Sequence, residues 1–157
     1  MSHNHNARIL LVDDNANDVE LTLDAFREVR LSNEIEVARS GQKALDRLFD
    51  RAPLPGGGRL PLPDLILLDL KMPRIDGYEV LRRLKAAPVL RRIPVIILTS
   101  SREEGHRAMS YDTGANSYLV KPVSFDGMVE VVKTIADYWL TINVGAPLPD
   151  DDGEEPA

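Results

Sequence analysis

Five polar side chains follow or end apolar runs of the sequence: Asp13, Asp14, Asp69, Thr99 and Lys121. If those runs are parallel strands of one sheet, the five side chains converge, because ligands bind outside the carboxyl ends of such strands. Carboxylates packed this closely raise one another's pKa unless a cation lies among them. Magnesium fits, since it takes a few carboxylate oxygens and leaves coordination positions for phosphate oxygens. The residue types therefore indicate phosphoryl chemistry, in which a protein mainly positions groups and neutralises charge.

Each of these residues also fits an ordinary structural role when it is taken alone. An Asp at a strand end is usually a helix cap or a turn former. Thr99 also fits a cap, and Lys121 before Pro122 fits a solvated surface lysine. Their shared position at one edge of the predicted sheet is what favours a functional site.

The apolar runs alternate with amphipathic stretches, which is the pattern of βαβ units and a parallel sheet. The first, third and fourth runs are continuous blocks of Val, Ile and Leu, as expected of central strands, and the second alternates like an edge strand. We predict five strands, over residues 8–13, 34–38, 64–69, 94–99 and 116–121.

Apolar residues at helical spacing predict five helices between and after these strands. Ser124 is the predicted N-cap of the last helix and Gly114 the predicted end of the fourth. Right-handed crossovers would place the helices on both faces of the sheet, which makes the fold class α/β and doubly wound. The predicted helices cover about 16–30, the residues after 41, the residues after 77, 103–112 and 124–143.

The 157 residues leave room for one domain with a core of its own. We predict a flexible N-terminus over residues 1–7, a single domain over 8–143, and a disordered acidic, Pro-rich tail over 144–157. The segment 51–63 is rich in Pro and Gly and reads as a loop before the third strand.

Composition excludes several classes of protein. The chain has no Cys, so disulfide frameworks, thiolate zinc sites and cysteine nucleophiles are ruled out. Its apolar runs are too short for a membrane helix, and its first residues lack the layout of a signal peptide. The basic residues around the third helix have no interleaved aromatics, which argues against a nucleic-acid partner. The net charge of −6 is a weaker argument, because residues 145–157 hold five of the 25 acids and the rest of the chain has 20 acids against 19 basic residues. We therefore expect a cytoplasmic protein with no membrane and no nucleic-acid partner.

The five side chains and their neighbours resemble the receiver domain of two-component response regulators over roughly residues 8–143. The motifs are Asp13-Asp14, the segment from Leu68 to Gly77 around Asp69, Thr99-Ser100 and Lys121-Pro122. The resemblance implies a flavodoxin-like receiver fold with five parallel strands in the order 2-1-3-4-5 and five helices. It also implies a phosphoacceptor signalling protein that is not an enzyme beyond its own phosphorylation and dephosphorylation. The phosphoryl donor would be a phosphohistidine on a sensor histidine kinase.

The same resemblance assigns the acidic residues. Asp69 would be the nucleophile that forms an acyl phosphate. Asp14, Asp69 and the backbone carbonyl of Lys71 would ligate Mg²⁺ directly, and Asp13 would act mainly through bound water. Lys121 would pair with the phosphoryl oxygens.

Further assignments concern the response to phosphorylation. Thr99 would donate a hydrogen bond to the phosphoryl group, and Tyr118 would be the aromatic switch residue that turns inward with it. The alternative for Tyr118 is an ordinary half-buried tyrosine of the fifth strand. Pro122 would follow a cis peptide bond. Gly77 is expected to free the backbone at the start of the third helix. The residues two positions after the phosphoacceptor and the switch Thr, Lys71 and Ser101, leave the lifetime of the acyl phosphate open.

No effector domain is expected, because few residues follow the receiver, so output would go through a partner protein, a downstream phosphotransfer partner or self-association. The last predicted helix is apolar nearly all round, which indicates burial on more than one side. We expect a homodimer, and the alternative is extra core against the Pro-rich loop. The expected interface residues are Val131, Tyr138, Trp139 and Ile142.

The segment from Tyr138 to Val144 and the long loop before the third strand look like the stand-alone receivers of bacterial and cyanobacterial phytochromes, which are histidine kinases. A receiver for another histidine kinase is the alternative. A second alternative is a Mg²⁺-dependent aspartyl-phosphate phosphohydrolase, but that motif needs an Asp where this chain has Lys71. A pseudo-receiver scaffold is disfavoured because the acidic pocket is complete.

Overall fold

The computed structural model describes residues 7–30, 33–51, 55–100, 102–142 and 147–148. The strands are β1 (Arg8–Val12), β2 (Glu34–Ala38), β3 (Leu65–Leu68), β4 (Val95–Thr99) and β5 (Ser117–Val120). The α-helices are α1 (Ala16–Glu28), α2 (Gly41–Phe49), α3 (Gly77–Ala86), α4 (Glu104–Thr113) and α5 (Phe125–Asp137). A 3-10 turn covers Leu90–Arg92 and a π-helical turn covers Tyr138–Ile142.

All neighbouring strands pair in parallel, in the order β2-β1-β3-β4-β5. The predicted fold class and strand order are therefore confirmed. Every residue of β3 and β4 is buried, as is all of β1 after its first residue. The edge strands β2 and β5 are only partly buried, so the continuous apolar blocks did identify the central strands.

Two apolar clusters form the core, one on each face of the sheet. Alternate side chains of the central strands point to opposite faces, so Leu10 and Val12 join one cluster while Ile9 and Leu11 join the other. The first cluster is completed by α2 and α3, and the second by α1 and α5. The two helical layers hold the carboxyl edge of the sheet between them.

Four helices begin at a side chain that accepts a hydrogen bond from the first turn. The predicted cap Ser124 accepts from the Gly127 amide at 3.0 Å, which confirms the start of α5. The predicted C-terminal residue Gly114 also ends α4, with a left-handed φ of 117°. The other N-caps are Asn15, Ser40 and Asp76.

Two predicted helix ends are wrong. The first helix ends at Glu28 and not at 30, because Arg30 has a left-handed φ of 62°. The last α-helix ends at Asp137, and the chain continues as a π-helical turn that buries Leu140 in the α1/α5 cluster. Apolar residues keep a helix-like spacing past the end of both α-helices, so periodicity alone does not show where either α-helix ends.

Part of the predicted tail lies against the domain. The Arg92 guanidinium donates to the Pro147 carbonyl at 3.1 Å, and Leu148 packs half-buried against the α2/α3 cluster. The other residues of the predicted tail from 144 to 157, and residues 1–6 of the predicted flexible N-terminus, lie outside the described residues.

Candidate functional site

Three carboxylates meet at the carboxyl edge of the sheet. One oxygen each of Asp13, Asp14 and Asp69 lies within 4.8 Å of the other two. Asp13 and Asp69 are buried and Asp14 is half-buried. The predicted convergence of these carboxylates is therefore observed.

Backbone hydrogen bonds that extend the sheet hold two of these acids. The Asp69 amide donates to the Val12 carbonyl at 3.0 Å, and the Asp13 amide donates to the Ala38 carbonyl at 3.1 Å. The two acids therefore follow adjacent strands whose pairing continues one residue past each strand. The separation of their carboxylates is set by the sheet and not by a loose loop.

Lys121 supplies the positive charge of the site. Its Nζ donates to Asp13 Oδ2 at 2.7 Å and to Asp69 Oδ2 at 3.4 Å, and its side chain is 7% exposed. Burial alone would lower the pKa of Lys121, but hydrogen bonds to Asp13 and Asp18 and the charge of Asp69 raise it above the ordinary value. Burial raises the pKa of Asp13, and the hydrogen bond from Lys121 offsets part of that rise.

Asp18 is a member of the site that the sequence analysis did not identify. Its Oδ2 accepts from Lys121 Nζ at 2.8 Å. Asp18 lies in the first turn of α1, where its amide donates to the Asn15 side chain at 2.9 Å. The sequence could have indicated Asp18 in one way. A helix that begins shortly after Asp14 must have its first turn beside the carboxyl edge of β1, so a carboxylate in that turn can reach the site.

Thr99 and Tyr118 are placed by β4 and β5. Thr99 is fully buried at the end of β4, and because β4 lies between β3 and β5 it stands between Asp69 and Lys121 along the edge. Its carbonyl accepts from the Lys121 amide at 2.7 Å. Tyr118 is half-buried and packs against the α2/α3 cluster.

The loop after Asp69 is pinned by Gly77, for a reason different from the one expected. Gly77 does not have a positive φ, so backbone freedom is not its role. A Cβ on Gly77 would lie 2.3 Å from the Asp69 carbonyl oxygen, so only glycine lets α3 begin this close to β3. The Gly77 amide donates to the Leu70 carbonyl at 3.0 Å and closes the loop that carries the exposed Lys71.

The cis peptide bond expected before Pro122 is not observed. All peptide bonds of the described residues are trans, including the one between Lys121 and Pro122. The trans form is the lower in free energy for X-Pro bonds as well.

The four residues expected at a dimer interface differ in exposure. Tyr138 is 49% exposed, whereas Val131 and Trp139 are half-buried against the chain's own α1/α5 cluster. The rings of Tyr138 and Trp139 meet edge to face with centroids 5.0 Å apart. The side chain of Ile142 lies outside the described part of the chain.

The donor set suits a hard divalent cation. Three carboxylates supply only oxygen ligands, which Mg²⁺ prefers, and Asp14 keeps the cluster open to solvent on one side. A buried carboxylate beside a lysine and a metal-binding cluster can act as a nucleophile towards a phosphoryl group.

Comparison with known proteins agrees with this geometry. The response regulator receiver domain family matches residues 9–133, and the chain belongs to that family. Within it, the chain is related to phytochrome response regulators of known structure. Rcp1 of Synechocystis sp. is 36% identical over 132 residues, which cover 84% of this chain and 88% of Rcp1. The "Probable methanogenesis regulatory protein FilR2" of Methanothrix harundinacea is 42% identical over 137 residues, which cover 86% of this chain and 84% of that protein.

A solved structure extends the likeness to the fold. The phosphorylated cyanobacterial phytochrome response regulator RcpA superimposes with a TM-score of 0.80 at 34% identity, covering 90% of this chain and 99% of that one. The chain is thus a receiver-domain protein of a signalling family that is generally not classed as enzymes. Among the described residues, no helix has the length and apolar character needed to cross a membrane.

Proposed function

We propose that the chain accepts a phosphoryl group on Asp69 from a phosphohistidine of a sensor histidine kinase. In this step an Asp69 carboxylate oxygen attacks phosphorus, the P–N bond breaks, and the histidine nitrogen keeps the bonding electrons. The proposal rests on one observation: buried Asp69 lies in one cluster with the Asp13 and Asp14 carboxylates and is within 3.4 Å of the Lys121 ammonium.

Asp14, Asp69 and the Lys71 carbonyl are proposed to hold Mg²⁺, with Asp13 acting through water. When bound, the ion would neutralise charge on the phosphoryl oxygens and on the acids. Lys121 would donate hydrogen bonds to the phosphoryl oxygens. Without such cations, a dianionic phosphoryl group would meet three carboxylates and be repelled.

Thr99 and Tyr118 are proposed to carry the change outward. The Thr99 hydroxyl would donate a hydrogen bond to the phosphoryl group, and Tyr118 would turn inward as that hydroxyl moves. The face formed by α4, β5 and α5 would then repack. Support comes from the positions of Thr99 at the end of β4 and of half-buried Tyr118 in the neighbouring strand β5.

The metal requirement is tested by Asp14→Asn, because Asp14 is the least buried member of the triad and its loss disturbs the core least. Phosphoryl incorporation from acetyl phosphate is expected to need Mg²⁺ in the wild type and to require a much higher Mg²⁺ concentration in the variant. Equal incorporation in EDTA and in Mg²⁺ would contradict a metal-assisted reaction.

We propose a phytochrome as the kinase. The likeness to the cyanobacterial phytochrome response regulator RcpA supports it, while the likeness to the methanogenesis regulator FilR2 leaves another kinase as the alternative. The test compares phosphotransfer to this chain from several purified, autophosphorylated kinases, one of them a bacteriophytochrome. The cognate kinase is expected to transfer fastest, so the ranking shows whether it is a phytochrome or another histidine kinase.

We also propose that the chain acts in the cytoplasm as a homodimer and signals by protein contact, without nucleic acid. Exposed Tyr138 beside Trp139 supports the dimer. The phosphohydrolase alternative is not supported, because the exposed cation Lys71 stands where that motif has its general acid. Steady turnover of p-nitrophenyl phosphate would support the phosphohydrolase alternative instead.

A further inference from the structure

Lys121 divides its hydrogen bonds unequally among three carboxylates. An ammonium has three N–H donors, and here they reach Asp13 at 2.7 Å, Asp18 at 2.8 Å and Asp69 at 3.4 Å. The two short bonds are to residues other than the phosphoacceptor. The ammonium is therefore held towards β1 and α1 and makes only a long contact with Asp69.

Asp18 differs from the other two partners in its surroundings. Its side chain is 37% exposed, against 2% for Asp13 and 7% for Asp69. Among the described residues, the carboxylate triad that could hold a metal contains Asp13, Asp14 and Asp69 but not Asp18. The Asp18 carboxylate thus has its hydrogen bond to Lys121 and no place in the metal triad.

These differences decide which bond is given up when Lys121 moves. Breaking the bond to buried Asp13 would leave a charge unpaired in the interior, which is costly. Water can replace the lysine at half-exposed Asp18 at much smaller cost. A phosphoryl group on Asp69 that needs a short bond from Lys121 would therefore draw the ammonium away from Asp18.

We propose that Asp18 is a positioning residue that competes with the phosphoryl group for Lys121 and so weakens the phosphorylated state. The proposal rests on the proposed function, because it assumes that Lys121 serves a phosphoryl group on Asp69. Neutralising Asp18 removes the competing charge and leaves Asp13, Asp14 and Asp69 in place. The backbone bonds of Asp18 to Asn15 and Thr22 do not involve its side chain, so the start of α1 is retained.

Asp18→Asn tests the proposal through beryllofluoride, a phosphoryl mimic, titrated at saturating Mg²⁺ so that metal affinity does not enter. We expect the variant to bind beryllofluoride about three- to tenfold more tightly, the effect of weakening one charge-assisted hydrogen bond to a half-exposed partner. The fluorine resonance of the bound mimic that faces Lys121 is also expected to shift in ¹⁹F NMR, because the ammonium moves towards that fluorine. A merely structural role of Asp18 would instead give weaker binding in the variant.

Two further variants separate competition from a general charge effect. Glu20→Gln removes an exposed carboxylate from the same helix and is expected to leave both the affinity and the resonance unchanged. Asp18→Glu keeps the charge and is expected to return the affinity towards the wild-type value.

The outcomes distinguish this inference from the proposed function. If Asp18→Asn binds the mimic equally or more weakly while the wild type binds it, Asp18 is not a competitor, and weaker binding would make it an anchor for Lys121. An equal gain of beryllofluoride affinity in Glu20→Gln would also overturn the inference, since the loss of any negative charge on α1 would then tighten binding. If the wild type binds no beryllofluoride, the proposed function fails and this inference fails with it.

Discussion

Lys121 holds the acidic site together through ion pairs with three carboxylates. Two of these carboxylates, Asp13 and Asp69, are almost fully buried, and like charges this close repel one another. Removing one partner of a buried pair is costly because the other charge stays in the interior. Lys121 therefore stabilises the fold besides its proposed role towards the phosphoryl group.

Lys121→Met is expected to lower the free energy of unfolding by on the order of 3 kcal/mol in EDTA, measured by urea denaturation, because the buried acids lose their counter-charge. Mg²⁺ is expected to restore part of that loss. Lys133→Met is the control, since its pair with Glu130 is exposed and longer, at 3.6 Å, and should contribute little. Equal stability of the two variants would contradict a structural role for Lys121.

Gly77→Ala tests the close approach of α3 to β3. The new Cβ would meet the Asp69 backbone, which has little room to move, so we expect a loss of about 1 to 3 kcal/mol of unfolding free energy. Gly105→Ala is the matched control, because nothing lies within 4 Å of a Cβ there and alanine favours the helix by about 0.5 to 1 kcal/mol. Thermal unfolding that shifts the same way in both variants would argue against the steric explanation.

The sequence predicts well which side chains lie at the strand ends of the site. It predicts poorly which of those side chains contact residues from other elements. Asp13, Asp69, Thr99 and Lys121 were predictable because a strand end fixes where a side chain can lie. Asp18 was not, because the rotation of α1 about its axis decides whether a side chain in its first turn reaches Lys121. The role of Gly77 was also out of reach, since a glycine in a sequence does not show which backbone approaches it.

At the scale of elements, Tyr78 joins α3 to α4. Its hydroxyl donates to the His106 carbonyl at 3.0 Å, and the two rings meet edge to face with centroids 5.9 Å apart. Burial raises the pKa of Tyr78 above its ordinary value of 10.0. The helix at the proposed output face is thus tied to the helix that begins beside Asp69.

Tyr78→Phe is expected to cost about 1 kcal/mol of unfolding free energy at neutral pH, through the lost hydrogen bond. Since the folded state keeps the Tyr78 proton more tightly than the unfolded state, this contribution is complete below pH 10 and declines as pH rises from 10 towards the folded pKa. The stability difference between wild type and variant, followed by urea denaturation from about pH 9 to about pH 11, should therefore shrink. A difference that grows with pH would contradict a raised pKa.

Elements whose signals are local were predicted well. The continuous apolar blocks identified β1, β3 and β4, and Ser124 and Gly114 marked helix ends through their own hydrogen bonds and φ. The π-helical turn after α5 was missed, because its apolar residues keep a spacing that an α-helix also satisfies. The packing of Leu148 against the α2/α3 cluster was also missed, because it depends on the path of the whole chain and no local sequence pattern predicts it.

At the scale of the whole molecule, the π-helical turn after α5 presents a surface with Tyr138, 49% exposed, beside half-buried Trp139. If this surface forms the proposed homodimer, Tyr138→Arg should weaken dimerisation about tenfold or more, because an exposed aromatic at the centre of an interface contributes strongly. Light scattering over a concentration series measures the effect. Phe49→Arg is the matched control on α2, outside the proposed output face, since Phe49 is 47% exposed. A wild-type monomer at micromolar concentration, with and without beryllofluoride, would contradict the dimer.

The most direct test of the proposed function is the site of phosphoryl incorporation. With Mg²⁺ and an autophosphorylated histidine kinase, the wild type is expected to take up one phosphoryl group that hydroxylamine removes, as an acyl phosphate requires. Asp69→Asn keeps the shape of the side chain but lacks the nucleophilic carboxylate, and it is expected to take up none. Label in Asp69→Asn equal to that of the wild type would show that Asp69 is not the phosphoacceptor.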